Sequence, residues 1–170
     1  NGAYSQRMVE ICRLHRIRHS VVASDHHRQF DLTEIEESLS KLEHVTHIAA
    51  VHFETALGVL NDINGLTNLA SRYGCRVLVD VISTFGAYPF DFSNQSIAAV
   101  ALSSNKCLHG LPGLAFVLAD TVALLRRSAP RTLSLDLRGQ HRALENGQQW
   151  RFTPPLQVML ALRQAINEFD

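Results

Sequence analysis

The chain has 170 residues, of which 46% are hydrophobic, and its sixteen acidic and sixteen basic side chains cancel to a net charge of zero. This length predicts one domain over residues 1–170 with a single core. No stretch places basic side chains between aromatic ones, and no apolar run reaches the roughly eighteen residues of a membrane span. The composition therefore argues against nucleic-acid and membrane partners and favours a small-molecule site.

The cysteines indicate a reducing compartment. Cys12, Cys75 and Cys107 are odd in number and widely spaced, a pattern typical of free thiols rather than of a disulfide framework. The first residues also lack the basic, apolar and small-residue regions of a secretory signal, so a cytoplasmic protein is predicted. His26 and His27 have no third ligand at a diagnostic spacing, and no metal site is predicted from them.

Helical and strand patterns alternate in the first third of the chain. Amphipathic spacing predicts a helix over residues 3–14, and a β-branched run predicts a short strand over 17–23 followed by a polar loop. Asp31 is suited to cap a helix over residues 32–42, whose glutamates lie toward its start. The compact apolar run within residues 45–53 predicts a strand that is buried on both faces.

The next strand ends on an aspartate. Asn61 or Asp62 is suited to cap the preceding helix, and Gly74 stands where a left-handed residue ends it. A strand over residues 76–81 follows and carries Asp80 near its end. At that place an acid lies at the carboxyl edge, where open α/β sheets bind ligands, and it is equally suited to cap the following turn.

The last third predicts two strands and three helices. The loop between strands 97–102 and 114–119 is too short for a crossover helix, so these strands are predicted to be antiparallel. The predicted helices start at Asp120, which caps a helix through Arg127, at Ser134 for a helix to Glu145 with a turn at 146–147, and at Pro154-Pro155. The alternation predicts an α/β fold with a mostly parallel sheet and one antiparallel strand.

Lys106 is a candidate catalytic residue because lysine is scarce in this chain. Lys41 and Lys106 are the two lysines, against fourteen arginines. A partly desolvated lysine can lose its proton and attack a carbonyl to form a Schiff base, whereas arginine stays protonated. Lys106 and Asp80 both follow predicted strand ends, which suits an aldehyde cofactor such as pyridoxal phosphate. A solvated loop lysine also fits this stretch.

Four motifs resemble those of the class V, fold-type I pyridoxal phosphate-dependent aminotransferases. They are Asn-Gly-Ala-Tyr at 1–4, His-Phe-Glu-Thr at 52–55 with Gly58, Val-Asp-Val-Ile-Ser-Thr-Phe-Gly at 79–86, and Ser-Ser-Asn-Lys-Cys-Leu-His-Gly-Leu-Pro-Gly at 103–113. The resemblance implies the large, cofactor-binding domain of a pyridoxal phosphate-dependent transferase. Two later stretches, 134–137 and 150–155, resemble the phosphonate branch, which implies amino transfer from 2-aminoethylphosphonate to pyruvate.

The resemblance also implies a role for each matching residue. Lys106 corresponds to the catalytic lysine that holds the cofactor, and Asp80 to the acid beside the pyridinium nitrogen. The other implied cofactor contacts are Thr55 at the phenolic oxygen, Ile82 on one ring face, Ser83 and Asn105 near the phosphate, and Thr153 at the phosphate of the neighbouring subunit's cofactor. These assignments imply a homodimer with an amino donor and a 2-oxo acid as substrates.

The resemblance leaves other functions open. An alanine:glyoxylate-type aminotransferase would share the acid and the lysine, and so would a non-catalytic remnant or interaction domain of the same fold. Cysteine desulfuration is less well supported, since no cysteine lies in a recognisable mobile loop. Full-length members are longer, so we expect a truncated large domain that catalyses poorly and self-associates. In that case the predicted strands 17–23 and 45–53 would pair directly or present open edges.

Overall fold

The computed structural model describes residues 1–25, 27–126 and 129–169, which form a mixed α/β fold. The helices in these ranges are α1 (Gly2–Leu14), α2 (Leu32–Lys41), α3 (Ile63–Arg72), α4 (Thr121–Leu125), α5 (Leu137–Gly147) and α6 (Leu156–Asn167). The strands are β1 (His47–Val51), β2 (Phe53–Glu54), β3 (Val59–Leu60), β4 (Arg76–Asp80), β5 (Ile97–Ser103) and β6 (Ala115–Ala119).

Four of the strands form one sheet in the order β1-β4-β5-β6. The first three are parallel, whereas β6 runs antiparallel to β5, as the short connecting loop predicts. The register places Val51 opposite Asp80 and Asp80 opposite Ala101. The remaining strands, β2 and β3, form a small antiparallel pair directly after β1. The predicted fold class, mostly parallel with one antiparallel strand, is confirmed.

The core lies between one face of this sheet and α3. Val77, Val79 and Val100 project from the central strands and are buried with Leu66 and Ala70 of α3, both of which are fully inaccessible to solvent. Burying such side chains contributes roughly 1.5 to 3 kcal/mol each. The helix α1 packs near β1 and β2. The central strands therefore have a fixed position from which their ends carry the site.

Aspartates cap four of the described helices, namely α2, α3, α4 and α5, the last through Asp136, which accepts a hydrogen bond from the backbone N–H of Gly139. Asp31 accepts a hydrogen bond from the backbone N–H of Thr33, which confirms the predicted cap of α2. Of the two candidates for α3, Asp62 is the cap. Asp120 caps α4. Each such cap stabilises its helix by about 1 kcal/mol.

The predicted strand over residues 17–23 is wrong. The structure has neither helix nor strand between residues 17 and 25, and Ile17 and Val21 are exposed. Among the described residues, β1 pairs on one side only, with β4. Of the two predicted alternatives, the direct pairing of 17–23 with 45–53 is therefore wrong, and β1 lies at an open edge of the sheet that these residues form. A β-branched run favours extended backbone, but a strand also needs a neighbour for its hydrogen bonds.

The boundaries of three predicted elements also differ from the structure. The single strand predicted over 45–53 is divided, because β1 ends at Val51 and β2 turns back onto β3. The helix α5 begins at Leu137 instead of the predicted Ser134, continues through the turn predicted at 146–147 and ends at Gly147. Its C-cap is Gln148, whose φ of 50° is left-handed. The helix α4 ends at Leu125. Arg127, the predicted end of that helix, and His26 lie outside the described residues.

The three cysteines are free thiols, as predicted. Over residues 1–25, 27–126 and 129–169, no helix has both the length and the apolar character needed to cross a bilayer.

Candidate functional site

The predicted site residues follow the ends of neighbouring strands. Asp80 closes β4, and Lys106 comes three residues after the end of β5, the parallel strand hydrogen-bonded to β4. Thr55 follows β2, which is separated by one residue from the end of β1, the other neighbour of β4. Because carboxyl ends of parallel strands meet at one edge of the sheet, these three residues belong to one candidate site.

The structure confirms that Asp80 caps the following turn, while its function in a ligand site stays a prediction. One carboxylate oxygen, Oδ1, accepts a hydrogen bond of 2.9 Å from the backbone N–H of Ile82 and so caps the turn after β4. Within the described part of the chain, Oδ2 receives no hydrogen bond. Burial raises the pKa of this half-buried carboxyl group, and the nearby Glu54 carboxylate adds to the rise, while the Ile82 N–H opposes it. The free oxygen is thus available to a cationic partner.

The turn after Asp80 is anchored to the end of β1 by a histidine. His52 is buried, and its Nδ1 is hydrogen-bonded to the hydroxyl of Thr84 at 2.9 Å. The rings of Tyr88 and Phe90 pack edgewise on the imidazole. Burial lowers the pKa of His52, so the imidazole is favoured in its neutral form. This contact fixes the segment that carries Ile82 and Ser83, whose side chains are half-buried.

The loop that carries Lys106 is held by the residue two positions before it. Ser104 is completely buried, and its hydroxyl donates a hydrogen bond of 2.6 Å to the backbone oxygen of Leu111. Its backbone N–H donates to the oxygen of Leu114, and its backbone oxygen accepts from Gly110. Ser104 therefore closes the loop at its base and leaves Lys106 exposed at its tip. Ser104 lies within the motif at 103–113, but the sequence pattern does not indicate its anchoring function.

Polar side chains beside Lys106 make short local contacts. The hydroxyl of Ser103 donates to Oδ1 of Asn105 at 2.8 Å, and Asn105 is exposed. The thiol of Cys107 contacts the backbone oxygen of Ser83 at 3.5 Å, which joins the loop after β5 to the turn after β4. Four of the predicted cofactor residues, namely Asp80, Ile82, Ser83 and Asn105, are thus carried by two segments in contact.

Thr153 is the predicted site residue that no strand end carries. It is exposed in the segment between α5 and α6. That segment leads into α6, which packs on the loop after Lys106 through Val158 against Gly113. The implied contact of Thr153 with a neighbouring subunit's cofactor stays a prediction, as do the roles of the other site residues.

Sequence reasoning missed the function of Asn61, a second anchor at this edge. It is buried, and its side-chain amide donates to the backbone oxygen of Val51 at 2.9 Å. Its Oδ1 accepts from the side chain of Asn1 at 3.0 Å and from the backbone of Phe30 at 3.2 Å. Asn61 therefore ties the end of β1 to the start of α1. A sequence signal existed in its place beside Asp62, but it suggested a helix cap.

Comparison with known proteins gives one family and one fold. The model of the family described as aminotransferase class-V matches residues 3–167. The 2-aminoethylphosphonate–pyruvate transaminase of Bacteroides fragilis is 38% identical over 99% of this chain and 47% of its own length. The enzyme of that name from Pseudomonas putida is 34% identical over 100% of this chain and 46% of its own. The chain spans about half the length of the curated relatives it matches.

Solved structures of aminotransferases have the same fold. An alanine–glyoxylate aminotransferase from Nostoc sp. superimposes with a TM-score of 0.88 at 22% identity, covering 98% of this chain and 45% of that one. An aspartate aminotransferase from Thermus thermophilus superimposes with a TM-score of 0.85 at 25% identity, covering 98% and 47%. The chain thus has the fold of one part of these larger chains.

Proposed function

Because this chain belongs to the class V aminotransferase family, we propose that its residues 1–170 form one cofactor-binding domain of a pyridoxal phosphate-dependent transaminase. The proposed reaction transfers an amino group from 2-aminoethylphosphonate to pyruvate and gives phosphonoacetaldehyde and alanine. The observation that carries the proposal is the pairing of β4 with β5, which puts an acid and a lysine after adjacent strand ends. The names of the most similar relatives support the choice of substrates.

The donor chemistry of the edge fits pyridoxal phosphate. A half-buried carboxylate with a raised pKa, such as that of Asp80, gains most from a cationic N–H partner, and a protonated pyridine nitrogen is one. Lys106 provides an exposed amine on an adjoining loop, and Ser83 and Asn105 provide small polar groups suited to a phosphate. The residues present therefore fit the cofactor.

The proposed mechanism assigns one task to each residue. The Nζ atom of Lys106 would hold the aldehyde carbon and, once the donor amine has replaced it, would move a proton from the carbon that bears the amino group. Oδ2 of Asp80 would hold the ring nitrogen in its protonated form. The hydroxyl of Thr55 would contact the phenolic oxygen, and Ile82 would cover one ring face. The bound cofactor supplies an electron sink for the carbon that loses its proton.

The second subunit of the proposed homodimer would supply Thr153 to the phosphate. This arrangement is supported by the exposure of Thr153 outside the strand ends. A light-scattering mass equal to two chains, reduced to one chain by dilution, is the expected result. A strictly monomeric chain that holds pyridoxal phosphate would contradict the shared site.

Borohydride reduction tests the cofactor site directly. The chain is incubated with pyridoxal phosphate, reduced, digested and mapped by mass spectrometry. The expected phosphopyridoxyl group is on Lys106, it is lost in Lys106→Arg, and it is retained in the matched control Lys41→Arg. Modification of Lys41 or of the amino terminus, with Lys106 unmodified, would contradict the proposal.

An assay of alanine formation tests the reaction. With excess pyridoxal phosphate, alanine is expected from pyruvate only when 2-aminoethylphosphonate is present. Glycine formed from alanine and glyoxylate, without phosphonate-dependent alanine, would instead support the alanine:glyoxylate alternative. A chain that carries the cofactor on Lys106 and turns over neither pair would support the non-catalytic alternative.

A further inference from the structure

Glu54 has the most deeply buried carboxylate among the residues that the structure describes. It is fully inaccessible to solvent, yet it lies at the end of β2 beside the exposed Thr55. Its Oε2 accepts a hydrogen bond of 3.0 Å from the backbone N–H of Tyr4, and its Oε1 accepts one of 3.3 Å from the backbone N–H of Ala56. One carboxylate therefore joins two segments that are separated by about fifty residues.

The first of these segments is the start of α1, which lacks a local cap. Asn1 is at the capping position, but its side chain makes no capping hydrogen bond. It donates instead to the backbone oxygen of Arg28 and to the side chain of Asn61. Glu54 thus satisfies a helix donor that a local side chain ordinarily satisfies, and its negative charge lies at the positive end of the helix dipole.

The backbone at Gly2 is shaped to admit this carboxylate. A Cβ built on Gly2 would overlap the side chain of Glu54, and the φ of 77° disfavours any residue other than glycine. The close approach of the two residues therefore depends on the absence of a side chain at position 2.

The second segment is the turn that carries Thr55. The carboxylate of Glu54 accepts a hydrogen bond from the N–H of Ala56, and its backbone oxygen accepts one from the N–H of Leu57. Glu54 therefore holds both residues that follow Thr55. The charge of Glu54 is also felt at the Asp80 carboxyl group. Glu54 thus stands between α1, the Thr55 turn and the end of β4.

We propose that Glu54 is a positioning residue of the cofactor site, which holds the Thr55 turn in place by binding it to the start of α1. This inference rests on the proposed function for the identity of the ligand, but the link itself is a property of the chain. Glu54 would not itself touch the cofactor. It acts through the backbone of residues 55–57, so its loss displaces the Thr55 hydroxyl while every side chain that would contact the cofactor is still present.

The test compares the full chain with five variants: Glu54→Ala, Glu54→Gln, Gly2→Ala, the double variant Gly2→Ala/Glu54→Ala and the control Asp120→Ala. Asp120 is also an acid that caps a helix, and it follows β6, whose direction opposite to β4 and β5 brings it to the other end of the sheet. Hydrogen–deuterium exchange is measured without cofactor. Affinity for pyridoxal phosphate is measured by absorbance titration, with reduction onto Lys106 as a check.

In the exchange experiment, Glu54→Ala is expected to speed exchange at Tyr4 and at residues 56–57 together, and Asp120→Ala at neither. Gly2→Ala, 52 residues away in sequence, is expected to give the same pattern, because its new methyl group displaces the carboxylate. Glu54→Gln keeps one acceptor oxygen and should give an intermediate pattern. Unchanged exchange at residues 56–57 in both Glu54 variants would overturn the proposal.

In the titration, Glu54→Ala is expected to weaken cofactor binding by at least about tenfold, which corresponds to about 1.4 kcal/mol. The affinity of Asp120→Ala for pyridoxal phosphate should stay close to that of the parent chain, even if its melting temperature falls by as much as that of Glu54→Ala. The double variant Gly2→Ala/Glu54→Ala should bind no more weakly than the weaker single variant, since truncation of Glu54 removes the clash. If Asp120→Ala and Glu54→Ala lower the melting temperature equally and also weaken cofactor binding equally, Glu54 has only a structural role and the proposal is overturned.

The two proposals fail in distinguishable ways. If the parent chain takes up no pyridoxal phosphate at Lys106, the proposed function fails, and the exchange comparison still supports or overturns the link between α1 and the Thr55 turn. If Glu54→Ala does not fold, Glu54→Gln supplies the same comparison through its single lost acceptor.

Discussion

The regions before and after the end of β5 differ in how completely they cover their apolar side chains. The first region contains β1, β4, β5 and α3, and in it Leu66 is 0% exposed. In the second region, Leu135 is 77% exposed and Trp150 is 43% exposed. An open apolar groove of about 270 Å³ also lies there, between β6 and α6. The strand ends that carry the proposed site therefore belong mainly to the first region, where packing fixes their positions.

The largest expected effect separates the two regions by truncation of a leucine in each. Leu66→Ala should destabilise the chain by about 2 to 5 kcal/mol, because it leaves a cavity beside β4. Leu135→Ala should change stability by no more than about 0.5 kcal/mol, since its side chain is already in solvent. Urea denaturation followed by circular dichroism measures both. Equal losses would show that the second region is as well packed as the first.

Loss of a buried hydroxyl sharpens the comparison at the loop of Lys106. Ser104→Ala should cost about 1 to 3 kcal/mol, because the buried hydroxyl that donates to the backbone oxygen of Leu111 is lost. The control Ser134→Ala alters an exposed serine of the second region and should be nearly neutral. The same denaturation experiment applies, with exchange at residues 110–114 as a local readout. An unaffected loop in Ser104→Ala would refute the anchoring role.

His52 predicts the acid response of the first region. Its pKa is lowered by burial, so below the unfolded value the unfolded chain binds a proton that the folded chain does not. Stability due to His52 should therefore fall as the pH drops from about 6.5 toward the lowered folded pKa. In His52→Asn this part of the pH dependence should be absent. The measurement is the melting temperature of the parent and of His52→Asn between about pH 7 and 5. Parallel curves would show that His52 does not contribute to the loss of stability in acid.

The smallest expected effect on stability is that of Asp80→Asn, which should stabilise the chain slightly, whereas Leu66→Ala and Ser104→Ala should destabilise it. Because burial raises the pKa of Asp80, its ionised form costs stability above the folded pKa, and the cost disappears as the pH falls through that value. Asp80→Asn should therefore slightly raise the melting temperature of the cofactor-free chain at neutral pH while weakening pyridoxal phosphate binding. The control Asp136→Asn removes the charged partner of Arg151 in the second region and should lower the melting temperature slightly. A clear drop in Asp80→Asn would show that Asp80 serves the fold alone.

The sequence predicted those features that depend on short stretches of chain. The caps at Asp31 and Asp120 follow from one side chain and the next turn, and the antiparallel pairing of β6 follows from the length of one loop. The positions of Asp80 and Lys106 after strand ends follow from local patterns as well. Such features need no knowledge of distant residues.

The features that the sequence did not predict depend on distant partners. Residues 17–23 have strand propensity, but no neighbouring strand completes them. The function of Glu54 arises from contact with Tyr4, fifty residues earlier, and no local pattern indicates that contact. The anchoring by Asn61 likewise appears only when the start of α1 is placed beside β1.

The sheet order described above has a consequence for the sequence of folding events. Strands β1, β4, β5 and β6 lie side by side in the order in which they occur along the chain. A nascent chain can thus add each strand of this sheet to the strand that precedes it in the sheet. The parallel pairings of β1 with β4 and of β4 with β5 close longer connections than the antiparallel pairing of β5 with β6, so they form more slowly. The link between Glu54 and the start of α1 can form before β5 has been synthesised. Glu54 and Asp80 would then be in place before Lys106, which follows β5, is added to the proposed site.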